Sequence, residues 1–114
     1  SIHDSSPTKR LEIWGNNDIL NGYIGGSVAI AVGASTITNG RHKAALAYKQ
    51  SGEHAFYIDG VQIGTSSTAY TMAALTSLSF RQYSGAYIPQ EGLNQTLLFP
   101  TRLTNAQLAE LTTL

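Results

Sequence analysis

The chain has 114 residues, with seven Lys and Arg against seven Asp and Glu, so it carries no net charge; that length builds one domain and leaves no room for two. Only 12% of residues are charged while 42% are hydrophobic, which excludes the disordered class and leaves no cluster of basic side chains for a phosphate backbone, so no nucleic-acid partner is expected. Cysteine is absent, which excludes a disulfide framework and a thiolate metal site.

Residues 1 to 8 are polar and turn-prone and read as a linker or loop, leaving 9–114 as a single domain. No apolar run approaches the roughly 20 residues a membrane helix needs, and no basic-then-apolar leader opens the chain, so a soluble product without membrane insertion is expected. Ser1 in place of Met predicts a processed product or a piece of a longer polypeptide.

Strands are predicted from residue 10 onward. Leu11 and Ile13 alternate with Arg10 and Glu12, the period of a strand with one buried face. Trp14 follows, Gly15-Asn16-Asn17-Asp18 turns the chain, and Ile19 to Ile24 forms the next short strand, ending in Gly25-Gly26. Val28, Ile30 and Val32 then alternate with Ala29 and Ala31, and Asn39-Gly40 predicts a tight hairpin, because both central residues of a type I′ turn need positive φ.

Past that turn, His42, Ala44, Leu46 and Tyr48 share one strand face, and Lys43, Ala45, Ala47 and Lys49 share the other, which is expected to be wet. Gln50 to Glu53 turns the chain, His54, Phe56 and Ile58 alternate with Ala55 and Tyr57, and Asp59-Gly60 predicts a second hairpin into Val61-Gln62-Ile63. Further strands are predicted over Leu75 to Gln82 and Gln95 to Phe99, with Pro100 ending the last. Thr104 with Gln107 fits a capping box and Leu103 with Leu108 a hydrophobic staple, so a short helix is predicted from about Asn105 to Thr112. Many short strands with one terminal helix predict an all-β fold, an antiparallel β-sandwich or jelly roll.

No catalytic constellation is evident. The seven acids include no i, i+2 pair that one strand face could present to a glycosidic bond. Asp59 is explained by its turn, Glu110 by the helix, Glu12 by a solvated face and Glu53 by a loop. There is no Gly-x-Ser-x-Gly nucleophile elbow and no phosphate-cradling glycine pattern. His42 and His54 read as hydrogen-bonded histidines at the edge of a core. Asn16-Asn17-Asp18 is a weak calcium candidate, and Asn94-Gln95-Thr96 matches the glycosylation acceptor pattern by chance. The expectation is a non-enzyme with no metal and no cofactor.

The better candidates are aromatic, because flat sugar faces stack on Tyr and Trp while amides bond the ring oxygens. Tyr83, Tyr87 and Gln90 lie in a loop containing Gly and Pro, and Trp14 stands beside Asn17. These five residues are the expected ligand site. Tyr23, Tyr48, Tyr57 and Tyr70 are explained by packing.

Four segments in order, Gly40-Arg41-His42-Lys43-Ala44-Ala45-Leu46-Ala47-Tyr48, Phe56-Tyr57-Ile58-Asp59-Gly60-Val61-Gln62-Ile63-Gly64, Leu75-Thr76-Ser77-Leu78-Ser79-Phe80 and Leu97-Leu98-Phe99-Pro100-Thr101-Arg102-Leu103-Thr104-Asn105-Ala106-Gln107-Leu108, resemble the second half of the concanavalin A-like (laminin G-like) jelly-roll superfamily, in the form found in phage tail-fibre and tailspike proteins. The resemblance implies a two-sheet sandwich with a short C-terminal helix, recognition of a cell-surface glycan or other host receptor, a homotrimer, and a place on the virion, outside the cell. The alternative it implies is a structural trimerisation or capping domain of a viral fibre. Residues 1 to 39 supply only part of the expected first half, so the domain is either a reduced sandwich or one completed by upstream chain. The carboxylate motif of the related glucanases is absent, so their activity is not implied.

Overall fold

The structure is a computed structural model and describes residues 2–3, 9–16, 18–25, 29–72, 77–78 and 95–114. Its strands are β1 (Ile2–His3), β2 (Arg10–Asn16), β3 (Ile19–Gly25), β4 (Ala29–Thr36), β5 (Ala44–Ala47), β6 (His54–Ile58), β7 (Val61–Ser66) and β8 (Ser77–Leu78), followed by helix α1 (Asn105–Thr112). Three full strands, β4-β3-β2, form an antiparallel meander that the two-residue strands β1 and β8 extend at the β2 edge. A second antiparallel sheet has the order β5-β6-β7.

Turn chemistry sets both well-formed hairpins. β2 and β3 pair residue for residue from Arg10↔Gly25 to Asn16↔Ile19, with Asp18 at φ 62 in the turn, where the short Asp side chain tolerates left-handed backbone. Between Ile58 and Val61 the turn residues Asp59 and Gly60 have φ 51 and 84, the two positive values that a type I′ hairpin requires.

The predicted hairpin at Asn39-Gly40 does not form. Although Gly40 has φ 130, β4 and β5 lie in different sheets, and residues 37–43 carry the chain from one to the other. The dipeptide signals a sharp bend; pairing across it is decided by where the flanking apolar faces are buried.

Ile24, Ile30 and Val32 of the first sheet pack with Phe56 and Ile58 of the second, forming the main core between them. On the opposite face of the second sheet, Ala47, Ala55 and Tyr57 pack with Leu108 of α1. The second sheet is therefore the middle of three layers, and all five residues of β6 are buried. This corrects the expectation of a wet Lys face on β5: Lys43 and Lys49 are exposed, but Ala45 and Ala47 between them lie under Leu108. Small side chains there let a helix approach closely.

Helix α1 starts as predicted. Thr104 Oγ1 accepts from the Gln107 N–H at 3.2 Å, and Gln107 Oε1 accepts from the Thr104 N–H at 2.9 Å. Its far end is fastened too, since the Gly60 N–H donates to Thr112 Oγ1 at 3.0 Å. Thr104→Ala should remove the cap and cost about 1 kcal/mol, seen as a fall of roughly 4–8 °C in Tm; an unchanged Tm would show that tertiary contacts alone hold the helix.

Several expectations are overturned. The concanavalin A-like jelly-roll sandwich is not the fold: a jelly roll curls two sheets together through Greek-key connections, whereas here the sheet β4-β3-β2-β1-β8 and the sheet β5-β6-β7 both stay open among the described residues. Gln95 to Phe99 belongs to no strand. Of the strand predicted over Leu75 to Gln82, Ser77–Leu78 forms β8 against β1, and the remainder lies outside the described residues. On β2 Leu11 packs against the main core as expected, but the exposure of the next two residues is inverted, with Glu12 only 4% exposed and Ile13 38%. Glu12 is accommodated because Arg10 Nε donates to its Oε2 at 2.8 Å while the guanidinium lies 5.6 Å from the Tyr23 ring centre.

Candidate functional site

Two shallow hollows lie at opposite ends of β6. The first, about 320 Å³, is walled by Thr36, Ile37, Thr38, His42, Ile58, Asp59, Val61 and Ile63. The second, about 520 Å³, is walled by Glu53, His54, Thr65, Ser66, Ser67, Arg102, Thr104 and Asn105.

At the first hollow, the β6–β7 turn and the β4–β5 connection meet. His42 Nδ1 donates to Asp59 Oδ2 at 2.6 Å, and His42 Nε2 donates to the Thr38 carbonyl at 2.6 Å. Asp59 Oδ1 accepts from the Lys43 N–H at 2.9 Å, and the Asp59 N–H donates back to the Lys43 carbonyl at 2.9 Å. The bond to Asp59, followed by that to Thr38, raises the His42 pKa above its ordinary value. Partial burial pushes the Asp59 carboxyl up, but the Lys43 N–H and the His42 ring together outweigh it and hold the group below the usual carboxylate value.

Hydroxyls of Ser35, Thr36 and Thr38 stand nearby, yet the arrangement is not a nucleophile triad. A triad histidine needs a free Nε2 to take the hydroxyl proton, and here that nitrogen is spent on the Thr38 carbonyl.

At the second hollow the polar groups are equally committed. Arg102 donates to the Glu53 carbonyl at 2.6 Å, to Asn105 Oδ1 at 2.8 Å and to the Leu103 carbonyl. His54, 1% exposed, accepts the Lys49 N–H at Nδ1 and donates from Nε2 to the Thr68 carbonyl at 2.8 Å. Its ring stacks on Tyr48 at 5.3 Å, whose hydroxyl donates to the Tyr70 carbonyl and accepts from the Met72 N–H. Lys49 pairs with Glu53 on the rim and lowers its carboxyl pKa.

Of the residues expected to bind a ligand, Tyr83, Tyr87, Gln90 and Asn17 lie outside the described residues. Trp14 is half-buried on β2, with its carbonyl accepting from Asn21 Nδ2 at 3.3 Å, and it lines neither hollow. Asn94 of the glycosylation pattern is also outside the described residues, and Asp18 of the calcium candidate occupies the left-handed position of its turn. Among the described residues no three His, Asp or Glu side chains cluster in a way that could hold a metal, and no helix is long and apolar enough to cross a membrane.

Sequence reasoning missed the His42–Asp59 pair. The two residues are 17 apart and belong to different predicted turns, and only the β5–β6 pairing, in which Ala44 faces Ile58, brings them together. It also missed Glu12 as a buried residue; its Oε1 is enclosed and has no hydrogen-bond partner among the described residues.

Neither the family resemblance nor the phage tail-fibre role inferred from it survives, and the glycan-binding function and lectin identity that rested on the jelly-roll fold fall with them. Comparison of the chain with protein-family models, with curated proteins and with solved structures finds no match.

Proposed function

We propose that this chain is a non-catalytic protein-contact domain, whose segment 95–99 pairs with the same segment of a second copy. The observation that carries the reading is the side-by-side exposure of Leu97, Leu98 and Phe99, at 54%, 65% and 46%. Consecutive residues of a paired strand point to opposite sides, so in such a pairing Leu97 and Phe99 would present apolar surface on one side and Leu98 on the other. Among the described residues its backbone makes no hydrogen bond. Backbone N–H and C=O groups left without a partner among the described residues, beside apolar side chains, are the features by which one strand recruits another.

A second copy suits the segment for two reasons. Gln95-Thr96-Leu97-Leu98-Phe99 is uncharged and the whole chain has no net charge, so copies approach without repulsion. Two identical segments running antiparallel about a two-fold axis also satisfy one another's backbone groups by symmetry. The C-terminal side of the segment is anchored through Arg102 to the Glu53 carbonyl, which limits the ordering that association requires. The ionisable groups of both hollows are engaged within the fold, which supports a contact role over a chemical one.

Sedimentation across a concentration series tests this. The unmodified chain should show a monomer–dimer equilibrium, and the triple change Leu97→Ser, Leu98→Ser, Phe99→Ser should shift it to monomer with the circular dichroism spectrum unchanged. A chain that stays monomeric up to its solubility limit, or a dimer indifferent to the triple change, would overturn the reading.

A further inference from the structure

His42 is bonded at both ring nitrogens to oxygens that only accept, the Asp59 carboxylate and the Thr38 carbonyl, each at 2.6 Å. Both bonds exist together only when the ring carries two protons, because a neutral imidazole keeps one nitrogen as a bare lone pair. The two acceptors belong to different parts of the chain: Thr38 lies in the connection that leads from the first sheet to the second, and Asp59 lies in the β6–β7 turn.

We propose that His42 is a proton-operated latch that fastens the 37–43 connection to the β6–β7 turn while the ring is doubly protonated and releases the Thr38 end when one proton is lost. The proton lost is the one on Nε2. The bond to Asp59 is assisted by the carboxylate charge, whereas the bond to Thr38 has a neutral acceptor and is the weaker of the two.

The surroundings leave this equilibrium to one partner. Toward His42 the β4 and β7 walls of the hollow present Ser35, Thr36, Val61 and Ile63, none of which ionises. Its chain neighbours are the exposed Arg41 and Lys43, and Lys43 Nζ is drawn away to the Thr113 carbonyl at 2.7 Å. On α1, which approaches the turn through Thr112, Glu110 is exposed. Among the described residues Asp59 is thus the charged group in contact with the ring.

The sign follows from the two pKa directions. His42 is raised, so the latch is fully closed below the ordinary histidine value of about 6.5 and is lost as pH rises through the folded-state value. Asp59 is lowered, so the latch is also lost in acid, as pH falls through that depressed carboxyl value. Closing occupies the window between them. Opening frees the connection that begins at Ile37, which packs on the main core and donates its N–H to the Asp18 carbonyl at 2.7 Å.

The test follows the His42 ring by NMR and measures amide exchange across the same pH range, corrected for the intrinsic rate. Protection of the Ile37 N–H should fall several-fold with a midpoint matching the His42 titration, while the Phe56 N–H in the central strand stays unchanged. In His42→Gln the Ile37 protection should be flat with pH. In Asp59→Asn, which keeps a residue that tolerates the left-handed turn position, His42 should titrate lower and the transition should move with it. A His42 that titrates at or below its ordinary value, or an Ile37 protection that ignores its titration, would overturn the proposal.

Discussion

Phe56→Ala is expected to destabilise the chain by about 3–5 kcal/mol, a large part of the roughly 5–15 kcal/mol that holds a typical domain together. Phe56 is fully buried and belongs to the core shared by the two sheets, so its loss opens a void that both sheets line. Gly22 on β3 is the seat of the ring: a Cβ placed there would lie 2.6 Å from two ring carbons. Gly22→Ala should therefore cost about 1–3 kcal/mol by overpacking, and combining it with Phe56→Leu should cost less than the two changes separately. Urea denaturation of the four proteins measures this, and strict additivity would show that Gly22 and Phe56 do not share the space assigned to them.

Elements governed by local chemistry were legible in the sequence. The Asp59-Gly60 turn and the Thr104–Gln107 cap involve residues within four positions of one another, and both form as read. The alternation of Ile30 and Val32 with Ala31 also places the right side chains inward. What failed depended on long-range placement. The Asn39-Gly40 bend is real, yet whether it makes a hairpin is decided by the burial of Ala44 and Leu46 against the first sheet. Glu12 has the polarity of a solvated residue, and only its contact with Arg10, whose guanidinium lies by Tyr23, reveals why it is enclosed.

The same division governs the candidate sites. Loop aromatics draw attention in a sequence because their composition is conspicuous, whereas His42 and Asp59 each have an adequate local explanation and acquire joint meaning only through strand register. Segment 95–99 was read as a strand because its composition is that of one; neither sheet extends to it. A sequence with strand character and no ladder among the described residues is the physical basis for proposing its partner in another copy.

Gly64→Ala should be among the most damaging single-methyl additions in the described part of the chain, alongside Gly52→Ala, whose Cβ would lie 2.1 Å from the Ser67 carbonyl oxygen. An ideal Cβ at Gly64 would lie 2.1 Å from the Val32 carbonyl oxygen and 3.0 Å from the Gly33 Cα. At Gly22 the obstacle is a ring, but here it is backbone on another strand, with no side chain to rotate away. Both strands are bulged at this level, the register shifting between Gly22 and Tyr23 on one side and between Phe56 and Tyr57 on the other, and the close approach of β4 to β7 occurs where those irregularities meet. The cost should reach or exceed the top of the roughly 1–3 kcal/mol range for overpacking, because the sheets must separate along this edge to admit the methyl. Gly15→Ala is the control: its nearest neighbours would be 3.8 and 3.9 Å away, so its Tm should barely change. If Gly64→Ala melts with Gly15→Ala, β4 and β7 do not touch through their backbones, and the main core must be closed by side chains elsewhere.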